Sequence, residues 1–273
     1  MKKADKAYKN SEFLNSADAR TIRMLAEYLE PESRFKKFNI ADTVVFFGSA
    51  RTESPEKARA ALEHVKARKP AEGKEDEELA AQLIRAEAGL KISRYYRDAE
   101  ELAFLVTRWS KETLSHKKGG RRFIVCSGGG PGIMEAANKG ASDAGGYSIG
   151  LNISLPFEQE PNPYISKELM FEFHYFFIRK FWFAYLAKAL IIFPGGFGTA
   201  DEMMEILTLV QTKKITKPLP IIIYGPEYWK SIIDFEGMVK WGMISRDDLS
   251  LFHFSDTPGE AFEYLKGELL KLV

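Results

Sequence analysis

The feature that most restricts the fold of this chain is a pattern that occurs twice: an apolar run, a glycine-rich loop and the start of a helix. FIVCS at 123–127 leads into GGGPG at 128–132 and then into the helical pattern IMEAANKGASDAG. ALIIF at 189–193 leads into PGGFGT and then MMEILTLVQ. Short, continuously apolar runs that alternate with helical patterns are typical of a parallel sheet covered by helices on both faces. The pattern therefore predicts an α/β fold with a mostly parallel sheet.

Other segments extend the same alternation. Further strands are predicted at TVVFF (43–47), YSIGLNISL (147–155), PIIIY (220–224) and LFHF (251–254). The aromatic-rich segment 171–188 is apolar nearly all round, which predicts a buried helix. We expect right-handed crossovers between the strands.

Two segments lie outside this alternation. Apolar positions between 12 and 28 suit an amphipathic helix, which Pro31 helps to end. The segment from about 53 to 118 is rich in Ala, Glu, Lys and Arg. It predicts two helices joined near KPAEGK (69–74), the second running from about 75 to 109. We expect one domain over 1–273, with an N-terminal helical extension (1–40) and a charged helical insertion (about 53–118).

Charge and cysteine content exclude several classes of protein. The net charge is +1 and both signs are interspersed, so we expect neither a nucleic-acid nor a membrane partner. Cys126 is the single cysteine, which excludes an internal disulfide and a Cys-based zinc motif, and the four histidines show no metal-ligand spacing. No apolar run reaches the ~18 residues of a membrane span, and the N-terminus lacks the apolar core of a signal peptide. A cytoplasmic protein is the expectation.

The two glycine loops predict a phosphate site. Glycine lets a ligand approach the backbone, and the helix start that follows offers unpaired N–H groups and a partial positive charge. In an open α/β sheet such a site lies at the carboxyl ends of the strands. Neither loop is a P-loop, and no GxGxxG with an acid ~20 residues on is present, which disfavours an NAD-dependent oxidoreductase.

Two acids follow the second loop, and their presence has two explanations. Thr199 and Glu202 have the spacing of a capping box, in which Thr199 would be the N-cap and Glu202 would return to its backbone N–H. Alternatively, Glu202 points into the cleft beside a bound phosphate and sugar. Asp201 is expected to be a first-turn acid favoured by the helix dipole.

Arg179 and Lys180 stand in the apolar segment FHYFFIRKFWFAYLAKALIIF. Burying a guanidinium costs several kcal/mol unless it is paired, so Arg179 needs a partner. A carboxylate such as Glu202 or Glu135 would serve, and so would a ligand phosphate, because the planar fork of arginine suits both. A structural ion pair or a surface arginine with a buried stem is the alternative.

These motifs together resemble one family. PGGFGTADE resembles the PGGxGTxxE motif of the Lonely Guy (LOG) family of cytokinin-activating phosphoribohydrolases, and FFIRKF resembles its upstream Arg-Lys pair. SGGGPGIMEAANKGA and VFFGSAR are similar to its first glycine loop and its first strand and turn. The resemblance runs from about residue 12 to the C-terminus and is closest to the longer bacterial members. It implies a Rossmann-like fold.

The resemblance also implies a reaction: hydrolysis of the N-glycosidic bond of a nucleoside 5′-monophosphate, such as AMP or N6-modified AMP, to free base and ribose 5-phosphate, with no cofactor. The implied catalytic residues are Arg179 and Glu202. The implied substrate-binding residues are Gly129, Gly130, Lys180, Gly195, Gly196, Gly198 and Thr199. Similar sequences have been called lysine decarboxylases, but that reaction would need a pyridoxal-phosphate Schiff-base lysine, and nothing here marks one.

Several alternatives stay open. Short plant-type members read GLMG where this chain reads GIMEAAN, so Glu135 enters near the site and the preferred base is undecided. Pro156, Phe157 and Asn152 are candidate walls for the base. A broader purine and pyrimidine nucleotide nucleosidase and a non-catalytic nucleotide or cofactor carrier are rival functions. The surplus of aromatic residues in 171–187 indicates packing against a second subunit, as a homodimer or higher homo-oligomer.

Overall fold

The computed structural model describes residues 6–68, 74–114, 120–156 and 160–272. Within them seven parallel strands form one sheet in the order β4-β3-β2-β1-β5-β6-β7. The strands are β1 (Thr43–Phe47), β2 (Ile124–Ser127), β3 (Ser148–Ile153), β4 (Met170–Phe173), β5 (Ala187–Ile192), β6 (Ile221–Tyr224) and β7 (His253–Ser255). The helices of the described part are α1 (Ser11–Asn15), α2 (Arg20–Lys37), α3 (Pro55–Lys66), α4 (Lys74–Ile92), α5 (Arg94–Leu114), α6 (Ile133–Asp143), α7 (Phe176–Leu186), α8 (Phe197–Gln211), α9 (Pro226–Ile232), α10 (Phe235–Lys240) and α11 (Pro258–Leu270).

The sheet is buried on both faces, as the continuous apolar runs predict. Val44 and Phe46 of β1 join a core with residues of α5, α6 and α11. Val45 and Phe47, which alternate with them, join a second core with residues of α2, α7 and α8. The predicted α/β fold with a parallel sheet between two helical layers is therefore confirmed.

The strand order reverses between β1 and β5. From β1 the chain builds outward through β2 and β3 to β4, and it then returns to place β5 on the other side of β1. The loops that follow β1 and β5 therefore diverge, and they leave a crevice at the carboxyl ends of these two strands, which is where ligands bind in open α/β sheets.

Pro31 does not end the N-terminal helix, contrary to the prediction. Helix α2 continues to Lys37 with Pro31 buried inside it. Proline cannot donate to the carbonyl four residues earlier, which here belongs to Glu27. That carbonyl accepts a hydrogen bond from Nε1 of Trp182 at 3.2 Å, so α7 supplies the donor that proline lacks.

The charged segment contains three helices in its described part, rather than two. The predicted long second helix is interrupted at Ser93, whose hydroxyl donates to the Leu90 carbonyl at 2.8 Å, and α5 starts anew at Arg94. One side of α5 is buried against the sheet and α6 through Leu102, Val106 and Trp109. The predicted junction at 69–74 lies outside the described residues, save for Lys74 at the start of α4.

The aromatic-rich segment is shorter as a helix than predicted. Phe171 and Phe173 are buried and Glu172 between them is exposed, which is the two-residue alternation of a strand, and these residues form β4. Helix α7 begins only at Phe176. Among the helices of the described ranges, none combines the length and apolar character that a membrane crossing requires.

Candidate functional site

A cleft of about 870 Å³ opens at the strand-order reversal between β1 and β5. Its walls include the loop 48–52 after β1, Gly128 after β2, the end of β3 and Leu155 after it, and the segment 194–202 after β5. Residues of α4, α6, α7 and α9 complete the lining. The two glycine loops that the sequence singled out thus reach one crevice, together with the loop after β1.

The second glycine loop starts helix α8 earlier than the capping box requires. Gly196 is the N-cap, α8 begins at Phe197, and Thr199 lies within the helix. Thr199 is therefore not an N-cap, and the predicted capping box is wrong. Gly195 has to be a glycine because a Cβ atom there would lie 2.1 Å from Oγ1 of Thr199. Glu202 is left free to point elsewhere.

Glu202 points at Arg179. The Nη2 atom of Arg179 lies 3.4 Å from Oε1 of Glu202, and the two side chains are 14% and 8% exposed. The rings of Phe176 and Phe183 flank the guanidinium, with centroids 5.2 and 5.4 Å from its carbon. Nε of Arg179 is buried without a hydrogen-bond partner among the described residues. The guanidinium thus has capacity for a further acceptor.

Burial dominates the electrostatics of this pair. It raises the pKa of Glu202 to about 7, although the positive charges of Arg179 and Lys180 act in the opposite direction. Burial also lowers the pKa of Arg179 from its ordinary value, against the pull of Glu202. The pair is long for an ion pair, so its attraction compensates only part of the desolvation. Glu202 is therefore a carboxyl group that exchanges its proton near neutral pH.

Lys180 is not brought into the cleft with Arg179. Its Nζ atom lies 2.7 Å from Oδ2 of Asp201 and 2.7 Å from Oε2 of Glu205, and Lys180 is not among the described residues that line the cleft. Asp201 is beyond the first turn of α8, so it is not the first-turn acid that we expected. Lys180 therefore neutralises Asp201 and joins α7 to α8.

Asn162 holds the first glycine loop through hydrogen bonds to the carbonyl groups of the loop. The Nδ2 atom of Asn162 lies 3.0 Å from the carbonyl oxygens of Gly129 and Gly130, and 3.0 Å from Oδ1 of Asn138. Gly129 has a φ of 76°, which favours glycine. Of this loop, Gly128 lines the cleft, whereas Gly129 and Gly130 are absent from the described lining residues.

The residue after the first loop that faces the cleft is Met134 and not Glu135. Oε1 of Glu135 accepts a hydrogen bond from the Tyr96 hydroxyl at 2.9 Å, which directs it toward α5. Of the candidate walls for a base, Asn152 lines the cleft and is buried, Pro156 is exposed, and Phe157 lies outside the described residues.

Two residues of the cleft were not singled out from the sequence. Arg51, in the loop after β1, has an exposed side chain in the lining, and the described residues form no ion pair with it. Tyr228, on α9, donates its hydroxyl to the Gly195 carbonyl at 2.7 Å. Arg51 could have been found, because it follows a strand and a glycine turn in VFFGSAR. Tyr228 also follows a strand and a glycine, in IIIYGPEY, but nothing in that segment indicates that its hydroxyl contacts the second glycine loop.

Comparison with known proteins identifies the region that carries the buried pair. Residues 134–265 match the model of a family described as "possible lysine decarboxylase". The pyrimidine/purine nucleotide 5′-monophosphate nucleosidase of Escherichia coli strain K12 is 31% identical over 137 residues, which is 45% of this chain and 29% of that protein. This part of the chain is therefore similar to that family and to that nucleosidase.

A plant protein shows a likeness to this chain over more of its own length. The probable cytokinin riboside 5′-monophosphate phosphoribohydrolase LOG4 of Oryza sativa subsp. japonica is 29% identical over 139 residues, which cover 50% of this chain and 59% of that one. The chain thus spans only 29% and 59% of the lengths of these two relatives. The X-ray structure of TM1055, from a structural genomics consortium, is 19% identical with a TM-score of 0.48, and covers 83% of this chain and 99% of that one.

Proposed function

We propose that this protein hydrolyses the N-glycosidic bond of nucleoside 5′-monophosphates and releases the free base and ribose 5-phosphate. The observation that carries the proposal is the burial of Glu202 beside Arg179 in the cleft that also contains the glycine-loop start of α8. The names of the E. coli and rice relatives, which describe cleavage of nucleotide monophosphates, support the same reaction.

The start of α8 suits the 5′-phosphate. Gly196 and Gly198 line the cleft, and a Cβ atom at either position would meet no other atom within 4 Å, so the backbone is open to a ligand. Free N–H groups and the helix dipole favour an anion there. Arg51 provides a positive charge in the lining. The phosphate would anchor the substrate, and its binding energy would be used to orient the sugar.

Glu202 is suited to act on the ribose of the substrate. Breaking the bond between C1′ and the base nitrogen develops positive charge on the ribose, as in other glycoside hydrolyses. A carboxylate beside C1′ stabilises that charge, and it can accept a proton from the attacking water. A pKa of about 7 is suited to this second task, because a base is most effective when its pKa is near the working pH.

Arg179 suits a positioning role beside Glu202. An arginine guanidinium releases its proton only under strongly alkaline conditions, so a general-acid role is not assigned to Arg179. Its contact with Glu202 orients the carboxylate. In this assignment Arg179 and Glu202 act on the reacting sugar, whereas Lys180 pairs with Asp201.

The apolar part of the lining suits a flat base without specifying one. It consists of side chains such as Ile92, Met134, Leu155, Phe176 and Ile232. These contacts are compatible with AMP, with N6-modified AMP such as a prenylated cytokinin nucleotide, and with a broader set of purine and pyrimidine nucleotides.

We also infer that the protein works as a homodimer or higher homo-oligomer. The supporting observation is a set of exposed apolar side chains on α2 and α7, here called the α2/α7 face. Its members are Ile22, Leu25, Tyr28, Leu29, Phe177, Phe181 and Tyr185, which are between 37% and 58% exposed. Aromatic residues are enriched in subunit interfaces, so a second copy of the chain is the proposed partner.

The experiment is incubation of the purified protein with AMP, GMP, CMP and prenylated AMP, followed by chromatography for the free bases. We expect base release by the wild type and a loss of about 10²–10⁴-fold in turnover for Glu202→Gln, which keeps the size of the side chain but not its charge. Glu205→Gln, which changes another acid of α8 that pairs with Lys180 and is not among the described lining residues, is the matched control and is expected to keep activity.

The result separates the rival functions. Base release from all four nucleotides would identify a broad nucleosidase, and release from prenylated AMP alone would identify cytokinin activation. Nucleotides that raise the melting temperature but remain intact would contradict hydrolysis and favour a nucleotide or cofactor carrier. Wild-type turnover in Glu202→Gln would exclude Glu202 from the mechanism.

A further inference from the structure

Tyr228 connects a helix outside the glycine loops to the backbone of the second loop. Its hydroxyl donates to the carbonyl oxygen of Gly195 at 2.7 Å, and its side chain lines the cleft. This hydrogen bond crosses from α9, which follows β6, to the loop that follows β5.

The consequence lies in the peptide unit that joins Gly195 to Gly196. A trans peptide is planar, and its C=O and N–H groups point in opposite directions. A donor that fixes the Gly195 carbonyl therefore also fixes the direction of the Gly196 N–H. Gly196 is the N-cap of α8, and the hydrogen bonds of the described residues give its N–H no acceptor.

The loop needs such an external restraint because it begins with two glycines. Glycine reaches most backbone conformations at little cost, so the Gly195–Gly196 peptide has no strong local preference for one orientation. Proline before the pair and Thr199 after it restrict the ends of the loop, and Oγ1 of Thr199 packs against Gly195. Neither contact holds the plane of the peptide between the glycines.

Tyr228 is itself rigidly placed. Gly225, with a φ of 80°, is the N-cap of α9, and its N–H donates to the Ser255 carbonyl at 2.9 Å. The Tyr228 ring packs edge-on against Trp229, with centroids 5.2 Å apart, and Trp229 is fully buried. The hydroxyl is thus presented by an element anchored in the core, which is what a preorganised site requires.

We propose that Tyr228 is a positioning residue that orients the Gly195–Gly196 peptide so that the Gly196 N–H is preorganised to donate to the 5′-phosphate. The inference rests on the proposed function, because the phosphate of a nucleoside 5′-monophosphate is the group that this N–H would receive. Tyr228 acts through the loop backbone.

The test is the binding of ribose 5-phosphate and of adenosine to Tyr228→Phe, measured by calorimetry. The variant removes one hydroxyl and keeps the ring. We expect the Kd of ribose 5-phosphate to rise about five- to tenfold, which is the effect of one hydrogen bond, and the Kd of adenosine to stay within about twofold. Tyr264→Phe, which alters a ring stacked on His253 outside the cleft lining, is the matched control and should change neither constant.

The outcomes separate this inference from the proposed function. An unchanged Kd of ribose 5-phosphate in Tyr228→Phe, or no binding of ribose 5-phosphate by the wild type, would overturn the inference even if AMP is hydrolysed. An equal loss for both ligands would indicate general damage to the cleft and would also overturn it. Weaker ribose 5-phosphate binding with unchanged adenosine binding would support it, even if the wild type releases no base. A KM rise for AMP with kcat nearly unchanged would be the corresponding kinetic result.

Discussion

Arg179 on α7 and Glu202 on α8 approach to 3.4 Å between Nη2 and Oε1, and the neighbouring aromatic rings of Phe176 and Phe183 flank the guanidinium. The relationship matters because the pair is buried but not tightly bonded. The cost of desolvating the Glu202 carboxylate therefore exceeds its attraction to Arg179, and the pKa of Glu202 rises to about 7. An ordinary surface ion pair would lower the pKa of the carboxyl group instead.

The pH dependence of turnover follows from this pKa. If the ionised form of Glu202 acts on the ribose, kcat/KM for the nucleotide should rise about tenfold per pH unit below pH 7 and level off above it. In Arg179→Met the positive charge that favours the carboxylate is gone, so the midpoint should move to higher pH. Steady-state kinetics between pH 5 and 9 measure both curves, with Arg246→Met, an exposed arginine paired with Glu236, as control. A profile that is flat between pH 6 and 8 would contradict the assignment.

The pH dependence of thermal stability should also report the ionisation of Glu202, with no substrate present. The folded-state pKa of Glu202, about 7, lies above its ordinary value of 4.5, so the folded protein holds this proton more tightly than the unfolded chain does. The resulting stabilisation is complete below about pH 4.5, falls as pH rises, and is lost above pH 7. Glu202→Gln carries no such proton.

The melting temperature of Glu202→Gln relative to the wild type should therefore increase between pH 5 and pH 8. The change corresponds to roughly 2–3 kcal/mol, or several degrees for a chain of this size. Calorimetric scans of both proteins at each pH measure the difference, and the other titrating groups cancel because both proteins share them. A difference that does not vary with pH would show that Glu202 ionises with an ordinary pKa.

Arg51 should contribute to binding of the phosphate more than to the chemical step. Its guanidinium is exposed in the cleft lining, whereas Arg179 is already paired with Glu202. We expect Arg51→Ala to raise KM for the nucleotide about tenfold with kcat within about threefold, and to reduce the salt dependence of KM. Arg59→Ala, on the exposed side of α3, is the matched control. If kcat falls and KM does not change, Arg51 acts in the transition state instead.

The parts of this molecule that the sequence predicts well are those set by local pattern. TVVFF and ALIIF are apolar at successive positions, so β1 and β5 are recognisable as strands buried on both faces. The glycine loops that follow apolar runs are recognisable for the same reason, and the strand order then brings them to one crevice. The buried Arg179 could be expected to need a partner, and Glu202 was one of the candidates.

The parts that the sequence does not predict depend on contacts between distant segments. Helix α2 continues through Pro31 because Trp182 donates to the Glu27 carbonyl, and nothing near Pro31 in the sequence signals that donor. Thr199 has the spacing of an N-cap, but the loop closes tightly enough for α8 to begin at Phe197. The hydrogen bonds of Asn162 and Tyr228 to glycine carbonyls likewise cross between loops and helices, so they have no local signature.

Self-association should depend on the α2/α7 face. The Tyr28 ring lies 5.4 Å from that of Phe181, and Phe181 stacks on Tyr185 at 5.0 Å, so the aromatic members form one continuous surface across the two helices. We expect Phe181→Glu to convert an oligomer into a monomer, because a carboxylate at the centre of an apolar interface loses its hydration without a partner. Light scattering coupled to size-exclusion chromatography measures the mass.

Trp241→Glu, which changes another exposed aromatic residue, is the control and should leave the mass unchanged. If the wild type is a monomer at concentrations of about 100 μM, or if Phe181→Glu keeps its oligomeric mass, a second copy of the chain does not cover this face.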